Sequence, residues 1–483
     1  MPRTNATAIF AASILTLSAC VAAPGPAALA ESAPAPFTSL EEAPIVFRAN
    51  DGQETDAFEG ALQVPENRSD PNSRFITLRY VRFPSTRAKA GPPIVYLAGG
   101  PGGSGVATAK WRRFPLFMAM RQFGDVIALD QRGTGASDAP EECVSSVVVP
   151  AAERTSDAAF ADLHRQSARE CAAFWAAQGV DLAGYTTAES VADLDALRRH
   201  LGAEKMSLWG ISYGSHLALA AMKAMPERID RVVIASVEGL DQTVKLPSRT
   251  DDYFARLGET AGVDDLPALI RRVHERLDAD PQMLDLKSPD GESVPYLLHR
   301  RDMQMIASAM IADPERALML VRLYQAADAG VYDPIAQVLG RFAKPGAPIS
   351  WRAMPLAMDR ASGVSDARLA RVREEAKASL LGDYLNFPMP HIIDELVDLD
   401  LGPAFRRDPQ SDIPTLVLTG SLDGRTYPAG QEDATAGLKN AVRVRVDGAG
   451  HNLFMASPDV QAVMEDFMRG EPVRTHVIET AKP

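Results

Sequence analysis

Clusters of basic residues are missing from this chain of 483 residues, whose formal net charge is −13. Proteins that bind nucleic acids carry Lys and Arg patches that contact the phosphates, so we exclude a nucleic-acid partner. The sequence also lacks a permanent membrane-spanning segment, because the apolar run at residues 8–17 is too short to cross a bilayer. The composition, 46% hydrophobic and 23% charged, is ordinary for a folded globular protein.

The first 36 residues differ from the rest of the chain. The apolar run leads into Leu17-Ser18-Ala19-Cys20, where small residues precede a cysteine. This pattern resembles a bacterial lipoprotein signal and predicts cleavage before Cys20, lipidation of its thiol and a membrane tether. A second site, Ala28-Leu29-Ala30, would instead release a protein without a lipid, and an uncleaved apolar N-terminus of a cytosolic protein is the third interpretation. We expect export, to the periplasm, to the outer membrane as a lipoprotein or to the medium, with residues 21–36 as a flexible tether.

Only two cysteines remain after Cys20, namely Cys143 and Cys171. In an exported protein an even pair predicts one disulfide. The alternative is two unpaired buried thiols, which are common in protein cores.

Short apolar runs alternate with helical patterns along most of the chain. The predicted strands are residues 76–81, 94–97, 126–129, 206–209, 232–235, 415–418 and 442–446. Such runs are typical of a mostly parallel, doubly wound sheet that helices cover on both faces. Residues 241–412 show helix patterns instead, including Asp313 as a helix cap before Pro314, and almost no strand. We therefore predict an α/β fold with core segments at 37–240 and 413–483 and an inserted, mostly helical cap at 241–412.

Two glycine-rich segments carry chemical information. Gly210-Ile211-Ser212-Tyr213-Gly214 fits G-x-S-x-G, the strand-to-helix turn that exposes a nucleophilic serine in the α/β-hydrolase fold. Residues 99–105, GGPGGSG, follow the strand at 94–97 and allow backbone amides to approach a ligand closely. We predict Ser212 as the nucleophile and the amides of Gly100 and Tyr213 as the oxyanion hole. The glycine run lacks the Walker and dinucleotide spacings, so it does not indicate a nucleotide site.

The acid and the base are predicted from their order along the chain. In this fold the nucleophile comes first, then the acid, then the histidine. Asp423 and His451 each follow a predicted strand after Ser212, and strands of α/β folds carry their sites at the carboxyl ends. His451 would act as general base, and Asp423 would orient its imidazole. This chemistry requires no cofactor and no metal.

The segment at residues 130–137, DQRGTGAS, is interpreted as structural. Asp130 precedes Ser212 and therefore comes too early to be the catalytic acid, whereas Arg132 could brace the glycine loop. Four other histidines are predicted at the surface because they lie in charged helical or linker segments: His164, His200, His274 and His299.

Taken together, these motifs resemble the proline iminopeptidase and tripeptidyl aminopeptidase family of serine exopeptidases. The similarity covers Gly99-Gly100-Pro101-Gly102, the segment 130–137, the elbow 210–214 and the late Asp423 and His451. It implies the α/β-hydrolase fold and release of short, often proline-containing, N-terminal units from peptides. The spacing of the cysteine pair also looks like that of secreted tripeptidyl-type members.

The sequence departs from the family at Ala98, where many proline iminopeptidases have histidine. Such enzymes bind the free amine of the substrate with acidic residues, and Glu238 is the candidate for that role here; its alternative is a turn or helix-capping residue. Two other functions stay open at this point. One is an esterase or amidase for small acyl substrates, and the other is a lipoprotein that binds a ligand without turnover.

Overall fold

The computed structural model describes residues 36–287, 292–342, 344–396 and 399–480. The predicted signal, both cleavage sites and Cys20 lie outside these residues. Within the described ranges, no helix has both the length and the apolar composition that crossing a membrane requires.

A large central sheet organises the chain. The described strands are β1 (Thr38–Ser39), β2 (Ala43–Arg48), β3 (Glu54–Pro65), β4 (Phe75–Phe83), β5 (Gly91–Leu97), β6 (Gly124–Asp130), β7 (Cys143–Val148), β8 (Met206–Ile211), β9 (Ile229–Ala235), β10 (Gln282–Lys287), β11 (Ser293–Leu298), β12 (Pro348–Trp351), β13 (Thr415–Gly420), β14 (Ala441–Asp447) and β15 (Val477–Glu479). The main sheet has the order β1-β3-β4-β6-β5-β8-β9-β13-β14-β15, and β2 pairs with β3.

Most of this sheet is parallel. The pairs from β6 through β5, β8, β9, β13 and β14 to β15 are parallel, whereas β1 to β4 add an antiparallel edge. All seven predicted strands lie inside these elements, so the predicted α/β architecture is confirmed. The strands β1 to β3 were not predicted. They form an edge that is partly open to solvent, where polar residues interrupt the apolar pattern.

Helices cover both faces of the sheet. The described helices are α1 (Gly105–Ala109), α2 (Phe114–Met120), α3 (Asp157–Ala177), α4 (Thr187–His200), α5 (Tyr213–Ala224), α6 (Pro247–Ala261), α7 (Leu266–Ala279), α8 (Arg300–Met310), α9 (Pro314–Asp328), α10 (Asp333–Phe342), α11 (Ala353–Ser362), α12 (Asp366–Ala376), α13 (Met389–Ile392), α14 (Gly402–Phe405), α15 (Pro428–Thr435) and α16 (Pro458–Arg469). On β5, Val95 and Leu97 pack into the core that contains α4 and α5, while Ile94 and Tyr96 pack with α1, α2 and α16. This burial on both faces explains the continuous apolar runs.

The elements between β9 and β13 are mostly helices, α6 to α14. They bury a third hydrophobic core, centred on residues such as Tyr253, Phe254 and Leu320. Asp313 caps α9 as predicted, accepting a hydrogen bond from the Arg316 amide. The same stretch contains a β10–β11 hairpin, and β12 pairs with β7, neither of which the sequence indicated. The domain boundaries at 240 and 412 stay predictions.

The predicted disulfide between Cys143 and Cys171 is present, with a Cα–Cα distance of 5.5 Å. Both cysteines are buried in the core on the α4–α5 side of the sheet. The bridge joins β7 to α3, and β7 in turn pairs with β12.

The surface prediction was wrong for two of the four histidines, His274 and His299, whereas His164 and His200 are half-buried. His274 and His299 are buried, and Nε2 of His274 lies 2.9 Å from the Tyr324 hydroxyl. The helices between β9 and β13 enclose a core of their own, so positions next to charged residues can still point inwards.

Candidate active site

Ser212 occupies the sharp turn between β8 and α5. Its backbone has φ 55° and ψ −129°, a left-handed conformation that non-glycine residues rarely adopt. A Cβ at Gly214 would lie 2.0 Å from the carbonyl oxygen of Leu97, at the end of β5. The elbow therefore fits against the sheet only because this position has no side chain, which is the physical basis of the G-x-S-x-G pattern.

The glycine loop after β5 lies directly against this turn. A Cβ at Gly99 would come within 2.9 Å of the Ile211 carbonyl oxygen and 3.0 Å of Ser212 Cβ. On the other side of the serine, the Tyr213 amide is the first of helix α5, and the first amides of a helix have no intrahelical acceptor. The loop that contains Gly100 and the helix start at Tyr213 thus flank Ser212, as an oxyanion hole requires.

The glycine loop is braced by Asp130 rather than by Arg132. The Asp130 carboxylate accepts hydrogen bonds from Ser104 Oγ at 2.5 Å, from the Val106 amide at 3.1 Å and from the Ala136 amide at 2.8 Å. The expectation for Arg132 was wrong. Its guanidinium is fully buried and bonds Asp193 together with backbone carbonyls, away from the glycine loop.

His451 and Asp423 form a direct pair. Nδ1 of His451 lies 3.1 Å from Oδ1 and 3.0 Å from Oδ2 of Asp423, whose side chain is fully buried. Burial alone would raise the pKa of the Asp423 carboxyl. The His451 ring and hydrogen bonds from His451 and Thr426 outweigh burial and hold this pKa below its ordinary value. Asp423 is therefore an anion that can stabilise an imidazolium.

The backbone connects this pair to the serine turn. Ser236, directly after β9, donates its hydroxyl to the His451 carbonyl at 2.7 Å. The residue before it, Ala235, accepts the Ser212 amide at 3.2 Å. Ser212, Asp423 and His451 thus follow the carboxyl ends of β8, β13 and β14, strands joined through β9, and they gather at one edge of the sheet.

The segment before α9 holds the two loops from the other side. The Ala312 carbonyl accepts the His451 amide at 2.8 Å, and the Ile311 carbonyl accepts the Gly424 amide at 3.2 Å. These contacts were not predictable from the sequence, because backbone carbonyls leave no signature in residue identity.

Glu238 lies near this edge but is not free. It is buried, and its carboxylate is 2.5 Å from the Lys245 ammonium. Burial would raise the pKa of Glu238, but the Lys245 charge outweighs burial and keeps this pKa below its ordinary value. The sequence pattern did not reveal this ion pair.

A second carboxylate, Asp359 of α11, was also missed. None of the described residues makes a hydrogen bond or an ion pair with its side chain. Burial, followed by the negative charge of Glu238, raises its pKa to about 7. Because Asp359 was on a helix in the predicted cap, no local motif marked it.

Asp359 lines a cavity of about 360 Å³ beside the glycine loop. A Cβ at Gly102 would lie 2.7 Å from Pro355, which also lines this cavity. The apolar part of the wall consists of Trp351, Pro355, Leu356, Pro388 and Met389. The rest of the wall is polar or charged and consists of Glu142, Ser350 and Arg352, so the unpartnered carboxylate of Asp359 faces a cavity of mixed character next to the predicted oxyanion loop.

The fold and this edge define an α/β hydrolase of the serine-hydrolase type. Residues 92–304 match the family described as alpha/beta hydrolase fold, and residues 401–473 match the family described as TAP-like protein. A proline iminopeptidase-related protein of Thermus thermophilus is similar in structure, with 16% identity and a TM-score of 0.36 over 89% of this chain and 98% of that one.

Named relatives extend the comparison. The tripeptidyl aminopeptidase of Streptomyces coelicolor is 28% identical over 220 residues, which cover 40% of this chain and 39% of that protein. The probable proline iminopeptidase of the same species is 30% identical over 198 residues, or 39% of this chain and 49% of that protein. The serine protease Hip1 of Mycobacterium tuberculosis is 28% identical over 188 residues, or 36% and 35%. The matched segment thus spans less than half of each relative, and the predicted resemblance to this group is confirmed at modest identity.

Proposed function

We propose that the chain is an exported serine aminopeptidase that releases a short N-terminal unit from peptides. The observation that carries the proposal is the position of Ser212 on a strained turn, at the edge of the sheet that also holds the His451–Asp423 pair. The tripeptidyl aminopeptidase and proline iminopeptidase relatives support a peptide as the substrate.

The chemistry follows from the hydrogen bonds. Nδ1 of His451 faces the Asp423 carboxylate, so Nε2 is the nitrogen left to accept a proton from the Ser212 hydroxyl. Ser212 Oγ then attacks the scissile carbonyl carbon, and the amides of Gly100 and Tyr213 stabilise the oxyanion. The C–N bond breaks as the imidazolium returns its proton to the leaving amine. Water hydrolyses the acyl-enzyme by the same route.

Selection of a free N-terminus is assigned to Asp359, with Glu238 beside it. An ammonium group in the cavity would meet the Asp359 carboxylate, whereas Glu238 already has Lys245 as its partner. The ion pair formed would favour the ionised form of Asp359 and offset the cost of its burial. The apolar wall, which contains two prolines and a tryptophan, suits an apolar or proline side chain near the bound amine.

Export is part of the proposal. A structural disulfide persists in oxidising compartments, and the Cys143–Cys171 bridge is buried within the core. This agrees with the signal-like residues before position 36, where Cys20 is the proposed lipidation site.

The test uses chromogenic aminoacyl and tripeptidyl anilides, each with a free and with an acetylated amine. We expect turnover of the free-amine substrates and a large loss on acetylation. Undiminished turnover of the acetylated forms would contradict the aminopeptidase function and indicate an esterase or amidase that acts on acyl groups.

Labelling of the nucleophile provides the control for the chemistry. A fluorophosphonate should label the parent at Ser212, and Ser212→Ala should lose the label and about 10³-fold or more in turnover. Ser207→Ala, which changes a buried serine on β8, the strand before the turn, should keep both the label and the turnover. A parent that takes up no label would be a ligand-binding protein without turnover.

A further inference from the structure

Thr426 lies against the acid–base pair and was not among the predicted site residues. Its hydroxyl lies 2.7 Å from Asp423 Oδ2 and 3.3 Å from His451 Nδ1, and its amide donates to Asp423 Oδ1 at 2.9 Å. The side chain is buried. Thr426 therefore touches both partners of the pair at once.

The direction of these hydrogen bonds follows from the number of protons available. A threonine hydroxyl has one proton, and the ionised Asp423 carboxylate can only accept, so the hydroxyl proton points to Asp423. Towards His451 the hydroxyl oxygen then offers a lone pair. This arrangement is favourable when Nδ1 carries a proton and repulsive when it does not. Thr426 thus favours the tautomer whose Nε2 is free to act as a base.

Gln431 of α15 fixes Thr426 in turn. Its Nε2 donates to the Thr426 carbonyl at 2.6 Å, and its Oε1 accepts the Thr419 hydroxyl of β13 at 2.9 Å. Gln431 is almost fully buried. The turn that follows Asp423 is therefore tied to the strand that precedes it, which limits movement of the carboxylate.

We propose that Thr426, held by Gln431, is a positioning residue that sets the tautomer and orientation of His451 through Asp423. This inference rests on the proposed Ser212 mechanism. It assigns Thr426 no contact with the substrate, so its loss should slow the chemical steps and leave substrate binding unchanged.

The experiment compares Thr426→Val, which keeps the shape but removes the hydroxyl, with Thr426→Ser, which keeps the hydroxyl. A hydrogen bond to a charged group corresponds to about a 10- to 100-fold effect, so we expect kcat of Thr426→Val to fall by about that factor. Its KM should stay within about twofold of the parent value, and Thr426→Ser should recover most of the rate. Thr415→Val removes an equally buried hydroxyl that bonds only a backbone carbonyl, and it should behave like the parent.

The fluorophosphonate labelling rate separates this inference from the proposed function. A parent that is not labelled would refute the function itself. A labelled parent with an equal labelling rate and kcat in Thr426→Val would refute the positioning role alone. The role is also refuted if Thr426→Ser is as slow as Thr426→Val, because the hydroxyl would then be irrelevant. Should Thr426→Val melt far below the parent, Thr426→Cys, with a similar volume and a weak donor, provides the same comparison with the serine variant.

Discussion

The unpartnered carboxyl of Asp359 leads to a prediction about both the stability of the fold and the binding of the substrate. Asp359→Asn removes the ionisable group and keeps the shape of the side chain. In the folded protein the pKa of Asp359 is about 7, against an ordinary value of 3.8. Unfolding therefore releases a proton between these two pH values, so this group makes the fold less stable as pH rises from about 4 to about 7.

The magnitude follows from that difference. About three pH units correspond to about 4 kcal/mol, which is an upper value because the carboxyl is partly open to solvent. We expect Asp359→Asn to be more stable than the parent by about 1–3 kcal/mol at pH 8, and by a smaller margin of about 1 kcal/mol or less at pH 4.5, where only the unfolded carboxyl is already ionised. For a chain of this size the gain should raise Tm by a few degrees.

The assay is thermal melting of both proteins from pH 4.5 to pH 8, together with kinetics on free-amine and acetylated substrates. Asp162→Asn is the control, because this aspartate is 67% exposed on α3 and its exposed ion pair with Arg165 contributes little, so the effect on stability should stay small throughout. The same Asp359→Asn variant should raise KM for free-amine substrates by about tenfold, the loss of a charge-assisted bond. A variant that melts no higher than the parent at pH 8, or that gains equally at both pH values, would show that the buried Asp359 carboxyl does not destabilise the fold.

Two further predictions concern the framework of the site. In a denaturant titration, the free energy of unfolding of Gly214→Ala should fall by about 3 kcal/mol or more, or the variant should fail to fold, because its Cβ would lie 2.0 Å from the backbone oxygen of Leu97. Gly202→Ala is the control, because nothing lies within 4 Å of that position, and its free energy of unfolding should fall by only about 1 kcal/mol. Removing the disulfide with Cys143→Ser and Cys171→Ser opens a loop of 28 residues, and stability should fall by about 3–4 kcal/mol. Equal unfolding midpoints for the double variant and the parent would show that the bridge does not constrain the unfolded chain.

Strand and helix patterns that repeat along the chain were predictable, because burial on both faces favours continuous apolar runs such as residues 94–97 of β5 and 232–235 of β9. The elbow was predictable for a similar reason, since the contact of Gly214 with Leu97 admits one residue type. The antiparallel strands β1 to β3 were not, because an edge exposed to solvent imposes no such pattern. His274 and His299 were misplaced because the core formed by the helices between β9 and β13 depends on contacts between distant segments.

The order of Ser212, Asp423 and His451 along the chain, each after a strand, was predictable from the residues alone. Parallel strands end at the same edge of a sheet, so that order already implied a common location. Which groups surround these three residues is known only from the folded chain. There Glu238 pairs with Lys245, Asp359 faces a cavity, and Thr426 contacts both the acid and the base. These outcomes depend on distances between side chains from separate elements and on the cost of burying a charge without a partner. Spacing along the chain encodes neither of these quantities.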